Sequence, residues 1–346
     1  MTKIPNELWN DSCKQDELKS AVNWGACGAT SNPPLMWKAI GAKDGDYWRR
    51  FIAQTIRESE PDSIDDLAWR VMRHIAVEAA AVLEPIWRES GGRKGLLSVQ
   101  VDPRRHSDAD FMIKQAIEIS NFAPNLSIKI PVTEAGLEAV TELAARGVNT
   151  TATVSFTVPQ VVRVAEAFQK GLTKGKTNRP VQNFAVVMVG RLDDFLRDKA
   201  RDEGISIAED VITKAGVAVV KKAYRIFRER GYTSRLLIGA MRGDYHITEF
   251  LGGDIVLTIP PKLHNVVARG KENLPLGLAN PVDEDAITEL LDKLPDFARA
   301  YEEDGMSPNE FEHFGSSVRT LNQFIGAFND IVAFVEGIMR EVSAGG

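Results

Sequence analysis

Short apolar segments alternate with longer amphipathic segments along most of the chain. The apolar segments are rich in Val, Ile and Leu, which is typical of strands whose two faces are both buried. Eight segments have this character: residues 7–11, 26–31, 96–101, 126–131, 151–156, 184–190, 236–240 and 255–259. Between them, apolar residues spaced along one helix face predict helices, for example at residues 109–120, 134–146, 160–171 and 206–230.

Eight repeats of strand and helix predict a (β/α)8 TIM barrel of the α/β class. A doubly wound open sheet is the competing architecture, but no glycine-rich loop follows an early strand. Residues 43–87 are too long for one crossover and predict two or three extra helices after strand 2. Residues 280–346 predict a helical extension, and residues 172–179, rich in Gly, Lys and Thr, predict a mobile loop. We expect one barrel domain spanning residues 1–346.

The composition is that of an ordinary globular protein, with 44% hydrophobic and 26% charged residues among 346. A net charge of −6 argues against non-specific binding of nucleic acid. The two cysteines, Cys13 and Cys27, and the five scattered histidines have no zinc or disulfide spacing, which predicts free thiols in a reducing compartment. The chain has no apolar signal segment and no run long enough to span a membrane, so we expect a cytoplasmic protein.

Lys129 is the most informative polar residue in the predicted strands. Side chains alternate along a strand, so Lys129 shares a face with Ser127, while Ile128 and Ile130 point the other way. Burial disfavours the ammonium form and lowers the lysine pKa, which favours a Schiff-base nucleophile. The alternative is a lysine at a strand end whose ammonium reaches water.

Other polar residues lie near the carboxyl ends of the predicted strands, where barrel active sites are found. They are Asp11, Thr30, Asn32, Ser98, Gln100, Thr151, Thr153, Arg191 and Arg242. Each has an ordinary explanation by itself, such as a helix cap for Asp11, a turn for Asn32 or a surface ion pair for an arginine. If the barrel closes as predicted, all of them converge on Lys129.

Several motifs resemble those of the transaldolase family, which includes the fructose 6-phosphate aldolase branch. They are Gly28-Ala29-Thr30-Ser31-Asn32-Pro33, Ser98-Val99-Gln100-Val101-Asp102 and Ile128-Lys129-Ile130-Pro131-Val132-Thr133-Glu134-Ala135-Gly136-Leu137. The resemblance continues through residues 147–150, Gln160, residues 189–193 and residues 254–261, and it covers about residues 8–340.

The resemblance implies a class I aldol mechanism that needs no cofactor and no metal. Lys129 would attack the ketose carbonyl and form an imine, and Asp11 would be the acid/base that takes the C4 hydroxyl proton. Asn32 and Ser98 would bind the dihydroxyacetone unit, and Thr153 would hold a catalytic water.

The remaining implied roles concern substrate binding. Arg191 and Arg242 would bind phosphate, a task suited to guanidinium groups. Thr30 and Thr151 would complete the donor site.

The chain departs from the family pattern at the site. Gln100 stands where transaldolases carry a Glu that activates water, which resembles the fructose 6-phosphate aldolase branch. Thr151 replaces an Asn, Met188 replaces an aromatic residue, and the serines expected near Arg191 and Arg242 are missing. The substrate anion could therefore be a phosphate or a different group such as a sulfonate, and the sugar could also be modified.

Three functions remain open at the level of sequence. The preferred one is transfer of a dihydroxyacetone unit between phosphorylated sugars through Lys129. The second is an aldolase that releases free dihydroxyacetone, and the third is a non-catalytic barrel that binds sugar phosphates. The expected partners are small sugar phosphates, with homo-oligomerisation possible, and neither nucleic acid nor membrane is expected.

Overall fold

The computed structural model describes residues 6–175, 180–270 and 274–344. Within these ranges, eight parallel strands follow one another around a closed barrel. The first strand pairs with the last from Glu7 opposite Val256 to Asn10 opposite Ile259, so the sheet has no free edge. This closure confirms the predicted (β/α)8 barrel and rules out the open sheet.

All eight predicted segments contain a strand. The strands are β1 Glu7–Asn10, β2 Gly28–Thr30, β3 Leu96–Gln100, β4 Leu126–Pro131, β5 Thr150–Thr153, β6 Asn183–Met188, β7 Arg235–Gly239 and β8 Val256–Ile259. Nearly every strand residue is buried, because the barrel interior covers one face and the surrounding helices cover the other.

Helices surround the barrel and extend beyond it. They are α1 Gln15–Trp24, α2 Pro33–Ile40, α3 Gly45–Glu58, α4 Ile64–Glu89, α5 Ala109–Ser120, α6 Glu134–Ala145, α7 Val158–Lys174, α8 Val189–Asp202, α9 Glu209–Ile212, α10 Ala215–Arg230, α11 Tyr245–Thr248, α12 His264–Gly270, α13 Glu284–Lys293, α14 Pro295–Tyr301 and α15 Gly315–Ala344. The extra helices expected between strands 2 and 3 are α3 and α4, and the C-terminal extension contains α13, α14 and α15. None of the helices in the described ranges has both the length and the apolar character needed to cross a membrane.

Two predicted strands end at least two residues earlier than expected. The segment 151–156 leaves the sheet after Thr153, because Val154 adopts a left-handed backbone with φ of 56°. The segment 184–190 ends at Met188, and Val189 and Gly190 already belong to α8. Both corrections matter for the site, since Thr153 and Arg191 then lie at the transition from strand to loop or helix.

One helix prediction and one loop prediction also need correction. The predicted helix at 206–230 consists of the short α9 and the longer α10, separated around Thr213 and Lys214. The predicted loop at 172–179 is wrong at its start, because α7 continues through Lys174. Residues 176–179 of that segment lie outside the described residues.

The loop after β4 brings α6 close to the strand that carries Lys129. Thr133 caps α6 by accepting a hydrogen bond from the Gly136 amide at 2.9 Å. A Cβ atom at Gly136 would lie 1.9 Å from the Pro131 carbonyl oxygen, so this close approach requires glycine. The cap and the glycine together hold the carboxyl end of β4 in place.

Helix α15 reaches the carboxyl end of the barrel. It packs against α2, α3, α4 and α8, which brings its side chains beside the end of β6. Phe324 and Phe328 on its inner face are fully buried. The C-terminal extension therefore contributes to the region where the predicted site residues converge.

Candidate active site

A cavity of about 230 Å³ opens at the carboxyl ends of the barrel strands. Seven of the predicted site residues line it: Asp11, Thr30, Asn32, Lys129, Thr153, Arg191 and Arg242. Val186, Met188 and Leu237 form an apolar wall on the side of β6 and β7. The cavity thus has a lysine and a carboxyl group at its inner end, and two arginines beside an apolar wall.

Lys129 lies within β4, paired with Gln100 of β3 and with Thr151 of β5. Its side chain is 4% exposed, and its ammonium nitrogen donates to the Ser31 carbonyl oxygen at 3.0 Å. Burial lowers the pKa of Lys129 to about 8, with Arg191 acting in the same direction and Asp11 opposing it. The amine can therefore lose its proton far more readily than an ordinary lysine.

Asp11 follows the last residue of β1 and faces Lys129 across the cavity. Its backbone N–H donates to the Ile259 carbonyl oxygen at 3.0 Å, and its carboxylate accepts from the Thr30 hydroxyl at 2.7 Å. Burial raises the pKa of the Asp11 carboxyl above its usual value, while Lys129 and the Thr30 hydrogen bond act against this rise. Thr30 also shares a hydrogen bond of 2.7 Å with Thr258, so its hydroxyl orients the carboxyl group.

Gln100 and Thr153 carry unused polar atoms near the lysine. Both amide atoms of Gln100 and the hydroxyl oxygen of Thr153 are buried, and they have no hydrogen-bond partner among the described residues. Unsatisfied buried polar atoms are rare and usually indicate a ligand or water. Gln100 shares the face of its neighbour Lys129 in the sheet but does not line the cavity itself.

Ser98 and Thr151, which the sequence analysis assigned to the donor site, lie deeper in the barrel than the cavity lining. Thr151 shares hydrogen bonds of 2.9 Å with Ser98 and 2.8 Å with Ser127, and all three side chains are fully buried. Neither Ser98 nor Thr151 lines the cavity. Their observed contacts form a chain of hydroxyls beneath Lys129.

Asn32 has a structural role at the rim of the cavity. Its side-chain oxygen caps α2 by accepting from the Leu35 amide at 2.9 Å, and Pro33 occupies the first helical position. The amide nitrogen of Asn32 does not take part in this cap. The residue can therefore hold the helix and still present a hydrogen-bond donor to the cavity.

The turn after β5 is strained and held by Gln160. Val154 has a φ of 56°, a left-handed conformation that is costly for a β-branched residue, on the order of 1–3 kcal/mol. The buried Gln160 side chain donates to the Val154 carbonyl oxygen at 3.2 Å and accepts from the Phe156 amide at 2.9 Å. This double contact fixes the turn that follows Thr153.

Arg191 lies at the start of α8, next to the apolar wall. Its guanidinium donates to the Thr320 hydroxyl at a long 3.4 Å and lies 5.5 Å from the centre of the Phe324 ring. Within the described residues, no carboxylate forms an ion pair with it. Burial lowers the pKa of Arg191 to about 10, and Arg242 acts in the same direction. A largely buried guanidinium with so few partners is suited to bind an anion.

Arg242 follows β7 and is more strongly engaged. It donates to the Asp194 carboxylate from Nε at 2.8 Å and from Nη2 at 2.6 Å, and to the Ala240 carbonyl oxygen at 2.8 Å. A Cβ at Gly190 would lie 2.5 Å from the Arg242 side chain, so glycine permits this close packing on α8. The two arginines are brought together in this way.

A buried pair of residues supports the backbone of Arg242. The Arg242 N–H donates to His246 Nδ1 at 3.1 Å, so the proton of a neutral ring is on Nε2, 3.0 Å from the Asp193 carboxylate. Asp193 also accepts from the Gly216 amide at 2.9 Å, and both side chains of the pair are fully buried. This network anchors the loop after β7 to α8 and α10.

Sequence reasoning missed several residues at the cavity. Lys38 of α2 and Gln323 of α15 line its mouth, and Thr320 and Phe324 contact Arg191. Asp194 is paired with Arg242. The α15 residues are about 130 positions from Arg191 and carry no local pattern that could reveal the contact. In the described ranges, no three His, Cys, Asp or Glu side chains are grouped so that they could hold a metal ion.

Comparison with known proteins agrees with this geometry. The family model for transaldolase/fructose-6-phosphate aldolase matches residues 8–312. The chain is 30% identical over 295 residues to the transaldolase of Mycobacterium ulcerans (strain Agy99), covering 75% of this chain and 78% of the relative. It is 29% identical over 294 residues to that of Mycobacterium tuberculosis (strain ATCC 25618 / H37Rv), with the same coverage. It is 31% identical over 209 residues to transaldolase 1 of Streptomyces avermitilis, covering 58% of this chain and 54% of that relative.

The chain therefore belongs to the transaldolase/fructose-6-phosphate aldolase family, and the resemblance found in its motifs is confirmed. It is an enzyme of the transaldolase and aldolase type, as the sequence predicts. The hypothesis of a non-catalytic barrel gains no support from these relatives.

Proposed function

We propose that the protein transfers a dihydroxyacetone unit between sugar phosphates through a Schiff base on Lys129. The buried amine of Lys129, with a pKa of about 8, is the observation that carries this proposal. An amine whose pKa falls from 10.5 to about 8 has about 300 times more free base at neutral pH. Only the free base can attack a carbonyl, so the lysine is prepared for imine formation.

In the first half of the reaction, Lys129 attacks the ketose carbonyl carbon to give a carbinolamine. Loss of water then gives a protonated imine, which withdraws electrons from the adjacent carbons. Thr153 lines the cavity, and its hydroxyl has no hydrogen-bond partner in the described part of the chain, which supports a role in holding that water. The imine prepares the C3–C4 bond for cleavage.

Asp11 is the proposed acid/base for carbon–carbon cleavage. Its carboxylate takes the C4 hydroxyl proton, the C3–C4 electron pair moves into the imine, and an aldose phosphate leaves. The rise of the Asp11 pKa through burial brings the carboxyl closer to the working pH of a general base. The remaining enamine then attacks an acceptor aldehyde, and the same steps in reverse release the new ketose.

A direct assay tests this function. The protein is incubated with fructose 6-phosphate, with and without erythrose 4-phosphate, and all sugars are quantified by mass spectrometry. The proposal predicts sedoheptulose 7-phosphate and glyceraldehyde 3-phosphate in equal amounts when the acceptor is present. Dihydroxyacetone in place of the transferred ketose would favour the aldolase reaction instead.

Arg191→Ala is expected to raise KM for phosphorylated substrates by about 10- to 100-fold, while kcat changes much less. This corresponds to the loss of a charge-assisted hydrogen bond, roughly 1.5–3 kcal/mol. Steady-state kinetics with fructose 6-phosphate and with unphosphorylated fructose measure the effect. Arg201→Ala is the control, because Arg201 is exposed on the same helix and pairs with Asp198 and Asp202. An equal loss for both substrates would mean that Arg191 does not contact the phosphate.

A second candidate function is an aldolase that releases free dihydroxyacetone. Gln100 motivates it, because an amide can orient a water but cannot act as a base. Both of its polar atoms are buried, and neither has a hydrogen-bond partner among the residues that the structure describes. The two functions share every step up to the enamine and differ in whether an acceptor aldehyde or a proton captures it.

Gln100→Glu is expected to shift the product ratio from free dihydroxyacetone toward the transferred ketose, because it restores a titratable group beside Lys129. The ratio is measured with a fixed acceptor concentration over a time course. Gln100→Met, which keeps the side-chain volume without hydrogen bonds, separates packing from polarity. An unchanged ratio in Gln100→Glu would show that Gln100 does not control the partition.

A further inference from the structure

One end of the cavity contains Arg191 and Arg242, and we call it the arginine end. Most of the charges around it cancel. Asp194 Oδ2 accepts both hydrogen bonds from Arg242, at 2.8 and 2.6 Å, and its Oδ1 accepts from Arg197 at 2.9 Å. Arg197 is in turn paired with Glu209, with one of the contacts at 2.8 Å. Two guanidinium groups and two carboxylates thus form one neutral chain along α8 and α9.

Arg191 is the guanidinium outside this chain. It lies within the cavity, and it forms no ion pair with any carboxylate of the described ranges. Lys38 also lines the cavity, but it is exposed to solvent at the mouth, where water screens its charge. The arginine end of the cavity, considered without Lys129 and Asp11 at the inner end, therefore offers a bound anion about one uncompensated positive charge.

The other groups at this end add no positive charge, since Gln323 and Thr320 have neutral side chains. The wall formed by Val186, Met188 and Leu237 is apolar. The Ala240 carbonyl oxygen occupies one Arg242 donor. An anion that reached Arg242 would also come close to the Asp194 carboxylate, which is 41% exposed and so partly screened by water. This carboxylate repels a dianion more strongly than a monoanion.

We propose that Asp194 is a specificity-determining residue, which makes this end of the cavity prefer a substrate tail with one negative charge over a tail with two. The inference rests on the proposed function in taking the arginine end as the place of the substrate's anionic tail. Phosphate monoesters have a second pKa of about 6 and are mostly dianions at neutral pH. Sulfate monoesters have nearly the same shape and remain monoanions.

Binding of unreactive probes tests this inference separately from the Lys129 chemistry. Glucitol 6-phosphate and glucitol 6-sulfate have no carbonyl and cannot form an imine, so their affinities do not depend on turnover. Isothermal titration calorimetry at pH 7.5 is expected to give about fivefold tighter binding of the sulfate by the wild-type protein. At pH 5.5, where the phosphate gains a proton, the two affinities are expected to converge.

Asp194→Asn is the decisive variant, because it removes the charge and keeps the side-chain shape and an oxygen that can accept from Arg242. It is expected to improve phosphate binding at pH 7.5 by about fivefold, and sulfate binding by clearly less. Asp198→Asn is the matched control: it removes a carboxylate one turn further along α8 that pairs with Arg201 and Arg319. This control is expected to leave the ratio of the two affinities unchanged.

Three outcomes overturn the proposal. Tighter binding of phosphate by the wild type at pH 7.5 would contradict the charge balance. Equal improvement of both probes in Asp194→Asn, or the same change in Asp198→Asn, would reduce Asp194 to one surface charge among others. Binding of neither probe would mean that the arginine end does not receive the anionic tail. Because none of these outcomes involves imine formation, failure of the Schiff-base mechanism would be recognised separately, by turnover that persists in Lys129→Met.

Discussion

Lys129→Met is expected to reduce turnover by about 10⁴-fold or more, because Lys129 is the buried lysine of the cavity, whereas Lys38, which also lines it, is exposed to solvent. Methionine fills nearly the same volume and is well suited to a buried site, so the barrel is expected to fold. Coupled assays measure turnover, and circular dichroism checks folding. Lys114→Met, which changes an exposed lysine on α5, is the control. Residual activity near the wild-type level would exclude Lys129 as the nucleophile.

The same lysine predicts how imine formation depends on pH. Burial lowers the pKa of Lys129 to about 8, so the fraction of free amine rises as the pH is raised toward that value. Below pH 7 the rate of imine formation is therefore expected to increase by about tenfold per pH unit and to level off above pH 8.

Asp11→Asn is expected to keep imine formation and to slow carbon–carbon cleavage by about 10²–10⁴-fold, the usual contribution of a positioned acid/base. The asparagine oxygen can still accept the hydrogen bond from Thr30, so the cavity keeps its shape. Rapid-quench experiments with borohydride measure the imine, and release of the aldose phosphate measures cleavage. The result would be accumulation of the trapped imine. Cleavage at the wild-type rate would assign the proton transfer to another group.

Lys129 and Asp11 each influence the pKa of the other. Burial lowers the pKa of the amine and raises that of the carboxyl, and each residue opposes the shift of the other. The protons of such a pair come off in steps that belong to both groups. The protonated imine of the proposed mechanism keeps a positive charge on the lysine nitrogen, whereas the enamine is neutral, so enamine formation is expected to raise the proton affinity of Asp11.

The barrel could be predicted from the sequence because its strands are buried on both faces, which gives continuous apolar runs. The ends of β5 and β6 could not be predicted from the sequence. Val154 is a residue that favours strands, but the Gln160 side chain holds it in a left-handed turn. Val189 continues the apolar run of β6 but begins α8 without a side-chain cap. The first boundary depends on a side-chain contact six residues further along the chain, and the second has no capping residue that would mark it in the sequence.

Part of the candidate site could be predicted because the strands could be recognised. Residues at strand ends, such as Lys129, Asp11 and Arg191, follow from the barrel geometry once the strands are recognised. The contacts from Thr320 and Gln323 depend on how α15 crosses the barrel, which nothing near them in the sequence indicates. In the sequence, Asp194 has the pattern of an ordinary acidic residue on a helix surface. Its pairing with Arg242 becomes visible only in the folded structure.

Borohydride trapping in the presence of fructose 6-phosphate is the most direct test of the central claim. The trapped protein is digested, and its peptides are identified by mass spectrometry. The account predicts a reduced three-carbon adduct on the peptide that contains Lys129, and its loss in Lys129→Met. Turnover of fructose 6-phosphate with no adduct, or with the adduct on a different lysine, would contradict the account.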